Sequence, residues 1–441
     1  MRRYSQALVC GLGASGQAAA RLLRAEGAAV TAVDERDTPE ARTGGAALAA
    51  LGCAVELGAQ VPPAGAFDAA VVSPGLPADG PFLAELRRRE IPLIPEMELG
   101  WSRFRGRTLA VTGSNGKSSV VKALAESLAA AGARAVPCGN YGLPVCQAVR
   151  ESPETDWLVI EASSFQLETC AEFRPDIAVL LNVLPNHLDR HGTLDHYARI
   201  KARMFACQQP GDTALTPPEW RDRFRQWSGG AGRWRTFGAA PQADFIHREH
   251  RLMERDGAGI DIAGSYFDNE VLGPNAAALF GAACAAGVPP AAVRAALRQF
   301  QSLPHRAEPV GEHAGVRYVN DSKATNLSGL VASVRMQDRP VWLIAGGRPK
   351  ETDFSAAVPV LRARVRGVFL IGEAAAAMQA AWAETVPCEV CGTLARAVAA
   401  ARRAARAGDT VLLAPACTSY DQFRAYGERG EAFRKLAAEK G

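Results

Sequence analysis

Short apolar runs recur along the chain, each followed by glycine or a polar cluster and then by apolar positions at helical spacing. Residues 6–10 form the first run, followed by Gly11, Gly13 and Gly16 and an Ala/Leu-rich stretch to Glu26. Residues 29–33 form a second run that ends in Asp34, and residues 68–72 a third that opens into Ser73, Pro74 and Gly75. Unbroken short apolar runs suit strands buried on both faces, and the patterns between them suit helices. The alternation predicts an α/β fold with mostly parallel sheets. Pro92 and Pro95 stand close together and predict a break in regular structure, with residues 96–101 leading into the next strand.

The same pattern continues downstream. Residues 109–111 predict a strand, and a helix starts at Lys117 with Val120, Val121, Leu124 and Leu128 on its apolar face. A turn-rich loop, residues 138–144, carries Asn140. A strand over 157–161 ends in Glu161 and is followed by Ser163, Ser164, Phe165 and Gln166. A strand over 177–181 ends at Asn182 and leads to a polar cluster of Asn186, His187, Asp189, Arg190 and His191. The cluster is as consistent with structural side chains as with a metal or phosphate role. The helix over 193–206 puts Tyr197 and Lys201 on one face, where Lys201 reads as solvated. Residues 208–270 carry little pattern beyond a small hairpin region. Helices follow over 275–286 and 293–300, then a linker over 301–306, and strands over 316–320, 340–345, 367–371 and 410–413.

The chemistry concentrates between the strand at 109–111 and the helix at Lys117. Thr112-Gly113-Ser114-Asn115-Gly116-Lys117-Ser118-Ser119 is a glycine turn opening a helix. Such a turn aims free N–H groups and the positive end of the helix dipole at one spot, which suits a phosphate. Lys117 adds a mobile cation, and the Ser118 hydroxyl is placed for Mg²⁺. The longer P-loop consensus fails, because Val111 stands where its first glycine belongs. An acid ending a strand beside such a loop, here Glu161, commonly holds Mg²⁺ directly or through water. The Gly11, Gly13, Gly16 spacing, with Asp34 at the end of the next strand, fits a dinucleotide, a UDP-sugar or no ligand at all.

A length of 441 residues predicts more than one domain. The net charge of +4 gives no basic stripe and no case for nucleic acid. No apolar run approaches membrane-spanning length. Met1-Arg2-Arg3 is followed by a glycine-interrupted run rather than a targeting segment. The ten cysteines are scattered, and Cys388 and Cys391 form a lone C-x-x-C, so free thiols in a reducing cytoplasm are expected rather than a zinc site.

Together these segments resemble the Mur ligases. The likeness rests on residues 112–118, Gly139 and Asn140, residues 161–168, Asn182 with residues 187–190, Pro304-His305-Arg306, residues 320–326, and Ser419 with Asp421-Gln422-Phe423. It is strongest to the member that joins D-glutamate to UDP-N-acetylmuramoyl-L-alanine in peptidoglycan precursor synthesis. The resemblance implies a cytoplasmic, monomeric, ATP-dependent amide ligase working through an acyl phosphate.

The resemblance also implies three domains: a Rossmann-like UDP-binding domain over 1–95, a P-loop ATP-binding domain over 96–302 and a Rossmann-like amino-acid-binding domain over 303–441. It assigns the UDP substrate to Gly13, Ser15, Asp34, Ser73, Pro74 and Gly75, with Asn140, Ser163 and Gln166 nearby. It assigns ATP to Gly113, Ser114, Asn115, Gly116, Lys117, Ser118 and Ser119, with Asn275, Arg306, Asp321 and Lys323. Two Mg²⁺ ions fall to Ser118, Glu161, His187 and a carbamylated Lys201. Lys117, Asn140, His187 and Lys201 take the catalytic roles, and Thr325, Lys350, Ser419 and Tyr426 grip D-glutamate. The chain departs from the family pattern at Arg348, where an Asp is frequent, at Ala278, where a second Asn is usual, and at Tyr426, where Phe is frequent.

Overall fold

The computed structural model describes residues 3–257 and 259–439. Its strands form three sheets. The first contains β1 (Gln6–Cys10), β2 (Ala29–Asp34), β3 (Ala54–Leu57), β4 (Ala69–Val72) and β5 (Leu93–Pro95), in the order β3-β2-β1-β4-β5. All its pairings are parallel. The chain reverses direction across the sheet between β1 and β4, which leaves a crevice at their carboxyl ends.

Two expectations are corrected in this sheet. The helix Pro39–Ala49 and β3 lie between the second and third predicted strands, so residues 69–72 are the fourth strand. The alternating, half-exposed pattern of β3 has no continuous apolar run to betray it. Pro95 does not break the sheet. It pairs opposite Val72 in β5, an edge strand whose outer side needs no N–H donor.

The second sheet contains β6 (Arg107–Thr112), β7 (Ala135–Gly139), β8 (Trp157–Glu161), β9 (Ile177–Leu180), β10 (Thr213–Thr216), β11 (Arg233–Gly238), β12 (Phe245–Arg248), β13 (Arg251–Glu254) and β14 (Gly259–Asp261). Their order is β14-β13-β12-β11-β10-β9-β6-β8-β7. β6 lies between β8 and β9, parallel to both, so the glycine turn after β6 is flanked by the end of the strand that carries Glu161 and by the end of β9, two residues before Asn182. The expected hairpin region holds for β12 to β14, which pair antiparallel. The remainder of residues 208–270 adds two parallel strands and the helix Pro218–Ser228. That helix buries only Phe224 among its arginines and tryptophans, which hides its period in the sequence. Against this sheet the helix Gly273–Ala286 is almost wholly buried, with alanines permitting close approach.

The third sheet contains β15 (Glu308–His313), β16 (Val316–Asn320), β17 (Val341–Gly346), β18 (Val365–Ile371), β19 (Cys388–Gly392) and β20 (Thr410–Leu413), in the order β15-β16-β20-β17-β18-β19. Only β15 runs antiparallel. The two edge strands, β15 and β19, are largely unburied and escape the apolar pattern.

The chain divides into two compact units, Met1–Phe267 with Gly273–Gln299, and Asp268–Leu272 with Phe300–Gly441. Among the described residues no helix is long and apolar enough to cross a membrane.

Candidate active site

The turn between β6 and the helix Lys117–Ala130 gathers the predicted phosphate and metal residues. Gly116 is left-handed at φ 86°, and a Cβ there would collide with the Asn275 amide, so only glycine lets the helix Gly273–Ala286 seat Asn275 against the loop. Asn182, just past the end of β9, accepts the backbone N–H groups of Ser114 at 3.1 Å and Asn115 at 2.9 Å through Oδ1, and donates to the Asn115 carbonyl at 3.1 Å. The Ser114 hydroxyl binds both the N–H and the C=O of Leu184 and approaches the Tyr197 hydroxyl. These bonds hold the loop in shape from the β9 side.

On the β8 side, Ser118 Oγ donates to Glu161 Oε2 at 2.5 Å and Asn140 Nδ2 donates to Glu161 Oε1 at 2.8 Å. Both oxygens of this buried carboxylate are therefore engaged. The Ser118 hydroxyl and the Glu161 carboxylate are hard oxygen donors side by side at the mouth of a helix, a donor set that fits Mg²⁺. Ser119 is buried in the first turn of the same helix.

Two lysines meet on one carbonyl. Lys117 Nζ lies 2.9 Å from Gly113 O and 3.1 Å from Ser114 O, and Lys201 Nζ lies 3.0 Å from the same Gly113 O and 3.3 Å from Thr112 Oγ1. Lys201 is not solvated as its helical face suggests. It is 1% exposed, with its ammonium position over the Tyr197 ring at 4.5 Å. Burial first, and the neighbouring Lys117 charge second, hold its pKa well below the ordinary lysine value. An unassisted periodicity argument places this lysine outward; the helix instead turns that face into the sheet.

His187 is left-handed at φ 55° and starts the short helix Leu188–His191. Its ring lies 4.8 Å from Phe165, edge to face. Two other members of the polar cluster turn elsewhere. His191 Nε2 is 3.0 Å from Ser164 Oγ, and Arg190 pairs with Glu168. Ser163 and Gln166 form a reciprocal capping box at the helix Ser164–Leu167, so both side chains serve that turn. Among the described residues no group of three or more His, Cys, Asp or Glu side chains is gathered as for a metal ion. Ser118 and Glu161 stand together, whereas His187 packs on Phe165.

Of the predicted UDP residues, Asp34, Ser73 and Gly75 line a cleft of about 230 Å³ at the crevice between β1 and β4, with Gly11 beside them, whereas Gly13, Ser15 and Pro74 are not on its wall. A Cβ on Gly16 would run into the Gly11 carbonyl, so the close turn requires glycine. Buried Asp34 accepts the Leu12 N–H at 2.9 Å and the Arg36 N–H at 3.0 Å, which fixes both loops around the cleft. Gly13 caps the helix Ala14–Ala25, Ser15 lies in its first turn, and Pro74 follows Ser73 in the turn after β4.

Of the remaining predicted residues, Asp321, Lys323, Thr325, Lys350 and Ser419 lie on the loops after β16, β17 and β20, Arg306 precedes β15, and Tyr426 starts the helix Tyr426–Ala438. Lys323 Nζ sits 4.1 Å over the Tyr426 ring, and the Thr325 N–H donates to the Lys323 carbonyl. Ser419 is buried, while Lys350 is exposed. Desolvation pushes the Asp321 carboxyl up to about 6. Arg306 follows left-handed His305. Arg348 forms a two-nitrogen ion pair with Glu373 at 3.1 and 2.9 Å, so the reversed charge at that position has its own counter-ion.

Sequence reasoning missed Arg429. Its guanidinium is 1% exposed and donates to Ser322 Oγ, Ser322 O, Cys417 O and Thr418 O. It ties the loop after β16 to the loop after β20, and nothing in the local pattern of its helix signals that.

The geometry meets independent likenesses. Residues 111–273 match the Mur ligase middle domain and residues 305–417 the Mur ligase, glutamate ligase domain. The enzyme named UDP-N-acetylmuramoylalanine–D-glutamate ligase of Acidobacterium capsulatum is 39% identical, with 97% of this chain and 95% of that protein covered. Its namesake in Anaeromyxobacter dehalogenans is 40% identical, covering 98% and 97%. The chain belongs to the Mur ligase family. This Mur ligase also shares its fold with solved members: MurF from Thermotoga maritima in complex with ADP, at TM-score 0.63 and 15% identity over 92% of this chain and 94% of that one, and MurF from Acinetobacter baumannii, at TM-score 0.65 and 16% identity over 94% and 91%. The three-sheet α/β architecture is thus that of the family.

Proposed function

We propose that this Mur ligase joins D-glutamate to UDP-N-acetylmuramoyl-L-alanine, with conversion of ATP to ADP and phosphate, in cytoplasmic peptidoglycan precursor synthesis. The observation that carries the reading is the gathering of Lys117, Lys201, Ser118, Glu161 and Asn140 at one glycine turn. Relatives of near 40% identity over almost the whole chain bear the name of this activity. Ten free thiols suit a reducing compartment.

A carboxylate is inert to amines because its leaving group would be oxide. Transfer of the γ-phosphoryl group of ATP onto the L-alanyl carboxylate gives an acyl phosphate, whose leaving group is phosphate. The D-glutamate amine then attacks the acyl carbon, the C–O bond to phosphate breaks, and the amine proton is lost as the amide forms. The first step brings two anions together. Lys117 and the backbone N–H groups of the turn lower the repulsion between them. Ser118 and Glu161 would hold Mg²⁺, which when bound supplies further positive charge at the phosphates. Asn140 orients the Glu161 carboxylate.

Burial and the neighbouring Lys117 charge lower the Lys201 pKa, which favours the neutral amine, the form that adds CO₂ to give a carbamate. That anion, with His187, would serve a second Mg²⁺. The span 1–95 takes the UDP moiety, 96–302 takes ATP with Asn275, and 303–441 takes D-glutamate through Thr325, Lys350, Ser419 and Tyr426, with Arg306, Asp321 and Lys323 on the nucleotide. Because one chain bears residues for all three substrates, the reading takes it as a monomer.

The test is ADP release with UDP-N-acetylmuramoyl-L-alanine, comparing D-glutamate with L-glutamate and other amino acids. D-glutamate-dependent release is expected, and Lys117→Ala should lower turnover at least ~100-fold, the scale of losing one preorganised charge. Near-normal turnover in that variant, or release indifferent to the amino acid, overturns the reading.

A further inference from the structure

Among the side chains of the polar cluster after β9 that the proposed reaction does not use, Arg190 reaches furthest. Arg190 donates from Nε to Glu168 Oε1 at 3.0 Å and from Nη2 to Glu168 Oε2 at 2.6 Å, and the same Nη2 donates to the Leu76 carbonyl at 2.6 Å. Its guanidinium lies 4.5 Å over the Phe165 ring, and the same ring lies 4.8 Å from His187, edge to face, and 5.5 Å from His191. The ion pair is largely enclosed, with side-chain exposures of 19% for Arg190 and 8% for Glu168. Glu168 also approaches His191 Nδ1 at 3.5 Å.

Leu76 belongs to the turn after β4. Its N–H donates to the Ser73 carbonyl at 3.1 Å, and Ser73, Gly75 and Leu76 line the cleft of the first sheet. One guanidinium therefore touches the wall of the first-sheet cleft and, through Phe165, the backing of His187. A planar fork does this where an ammonium cannot, because it holds a carboxylate with two parallel bonds while keeping a third direction fixed.

We propose that Arg190 is a positioning residue that couples occupancy of the first-sheet cleft to the placement of His187. Ligand that orders the turn at 73–76 fixes the Leu76 carbonyl, which fixes the guanidinium. The guanidinium fixes the Phe165 ring against which left-handed His187 rests. The inference rests on the proposed reading in two respects, that the first-sheet cleft takes the UDP moiety and that His187 serves the reaction.

The test uses the full chain, wild type and Arg190→Ala, with UDP as the probe, and reads amide hydrogen exchange over residues 73–76 and 186–192. In the wild type UDP slows exchange in both stretches. In Arg190→Ala it slows exchange at 73–76 alone. In turnover assays the variant raises KM for UDP-N-acetylmuramoyl-L-alanine and lowers kcat, each about ten-fold, the scale of the lost charge-assisted bond to the Leu76 carbonyl, and leaves KM for ATP within about two-fold. Arg190→Lys, which keeps the charge and loses the fork, shows the same split in weaker form. A merely structural role would instead raise both KM values together and lower the unfolding temperature without altering the UDP-dependent exchange pattern. Protection of both stretches surviving in Arg190→Ala, or protection at 73–76 alone in the wild type, overturns the coupling. Absence of protection from both stretches in the wild type overturns the cleft assignment itself, and the coupling with it.

Discussion

Lys201 beside the glycine turn and Arg429 on the third-sheet loops are both cations only 1% exposed, and both are hydrogen-bonded to neutral oxygens. Their fates under burial differ. Lys201 is a compact point charge with a second ammonium next to it, and its pKa falls well below the ordinary lysine value through desolvation and then through Lys117. Arg429 is lowered by desolvation only to about 10, so it stays charged at neutral pH. A lysine gives up its proton when its surroundings disfavour charge, whereas a guanidinium keeps it and finds acceptors in several directions. The same degree of burial thus disfavours the charge on one residue and makes the other a fixed staple between loops.

The comparison is most sharply broken at Arg429. Arg429→Ala removes four hydrogen bonds and leaves the Ser322, Cys417 and Thr418 carbonyls without that donor. A loss of about 3 kcal/mol of stability is expected, as for removing one member of a buried charged network, read from urea unfolding. Because the stapled loops carry Thr325 and Ser419, KM for D-glutamate should rise as well. A loss under about 1 kcal/mol would mean that the loops do not depend on the staple.

The opposite sign is expected at Lys201. Lys201→Met removes a buried amine while Gly113 O keeps its bond from Lys117 and Thr112 Oγ1 keeps its bond to Ala162 O. Stability at pH 7 should rise by about 1 kcal/mol even as turnover collapses. The pH dependence follows from the depressed pKa. Between the folded value and the unfolded value near 10.5, the unfolded chain binds more protons, so stability climbs with pH through that window and falls as pH drops toward the folded value. Melting temperatures measured across neutral to alkaline pH should show this slope in the wild type and a flatter one in Lys201→Met. Identical slopes would mean that the amine titrates normally.

The smallest effect is expected at Arg348, a cation of the third-sheet unit that is paired but open to solvent. Its partner Glu373 is half exposed, as is Arg348 itself. Arg348→Ala should leave the unfolding temperature unchanged, since exposed ion pairs are screened and mobile. A clear drop would place this pair with the buried staples.

The apolar runs at β1, β2, β4, β6, β8, β9, β16, β17, β18 and β20 announced the buried strands, and the glycine turn announced itself by residue type and place. Edge elements were silent. β3, β15 and β19 are half exposed, β5 carries a proline that an edge tolerates, and the helix Pro218–Ser228 buries a single residue.

The residue types at the glycine turn, the acid ending β8 and the buried strands with long apolar runs were legible in the sequence alone, because each depends on local backbone freedom or on the spacing of apolar side chains. Which cations are buried was decided only by the tertiary structure. Nothing near Lys201 in the chain distinguishes it from a solvated lysine, nothing near Arg429 marks a staple, and Arg190 meets Leu76 across 114 residues. The cost of enclosing a charge, and the acceptors that make it tolerable, come from segments far apart in the chain, and exist only once the sheets have brought those segments together.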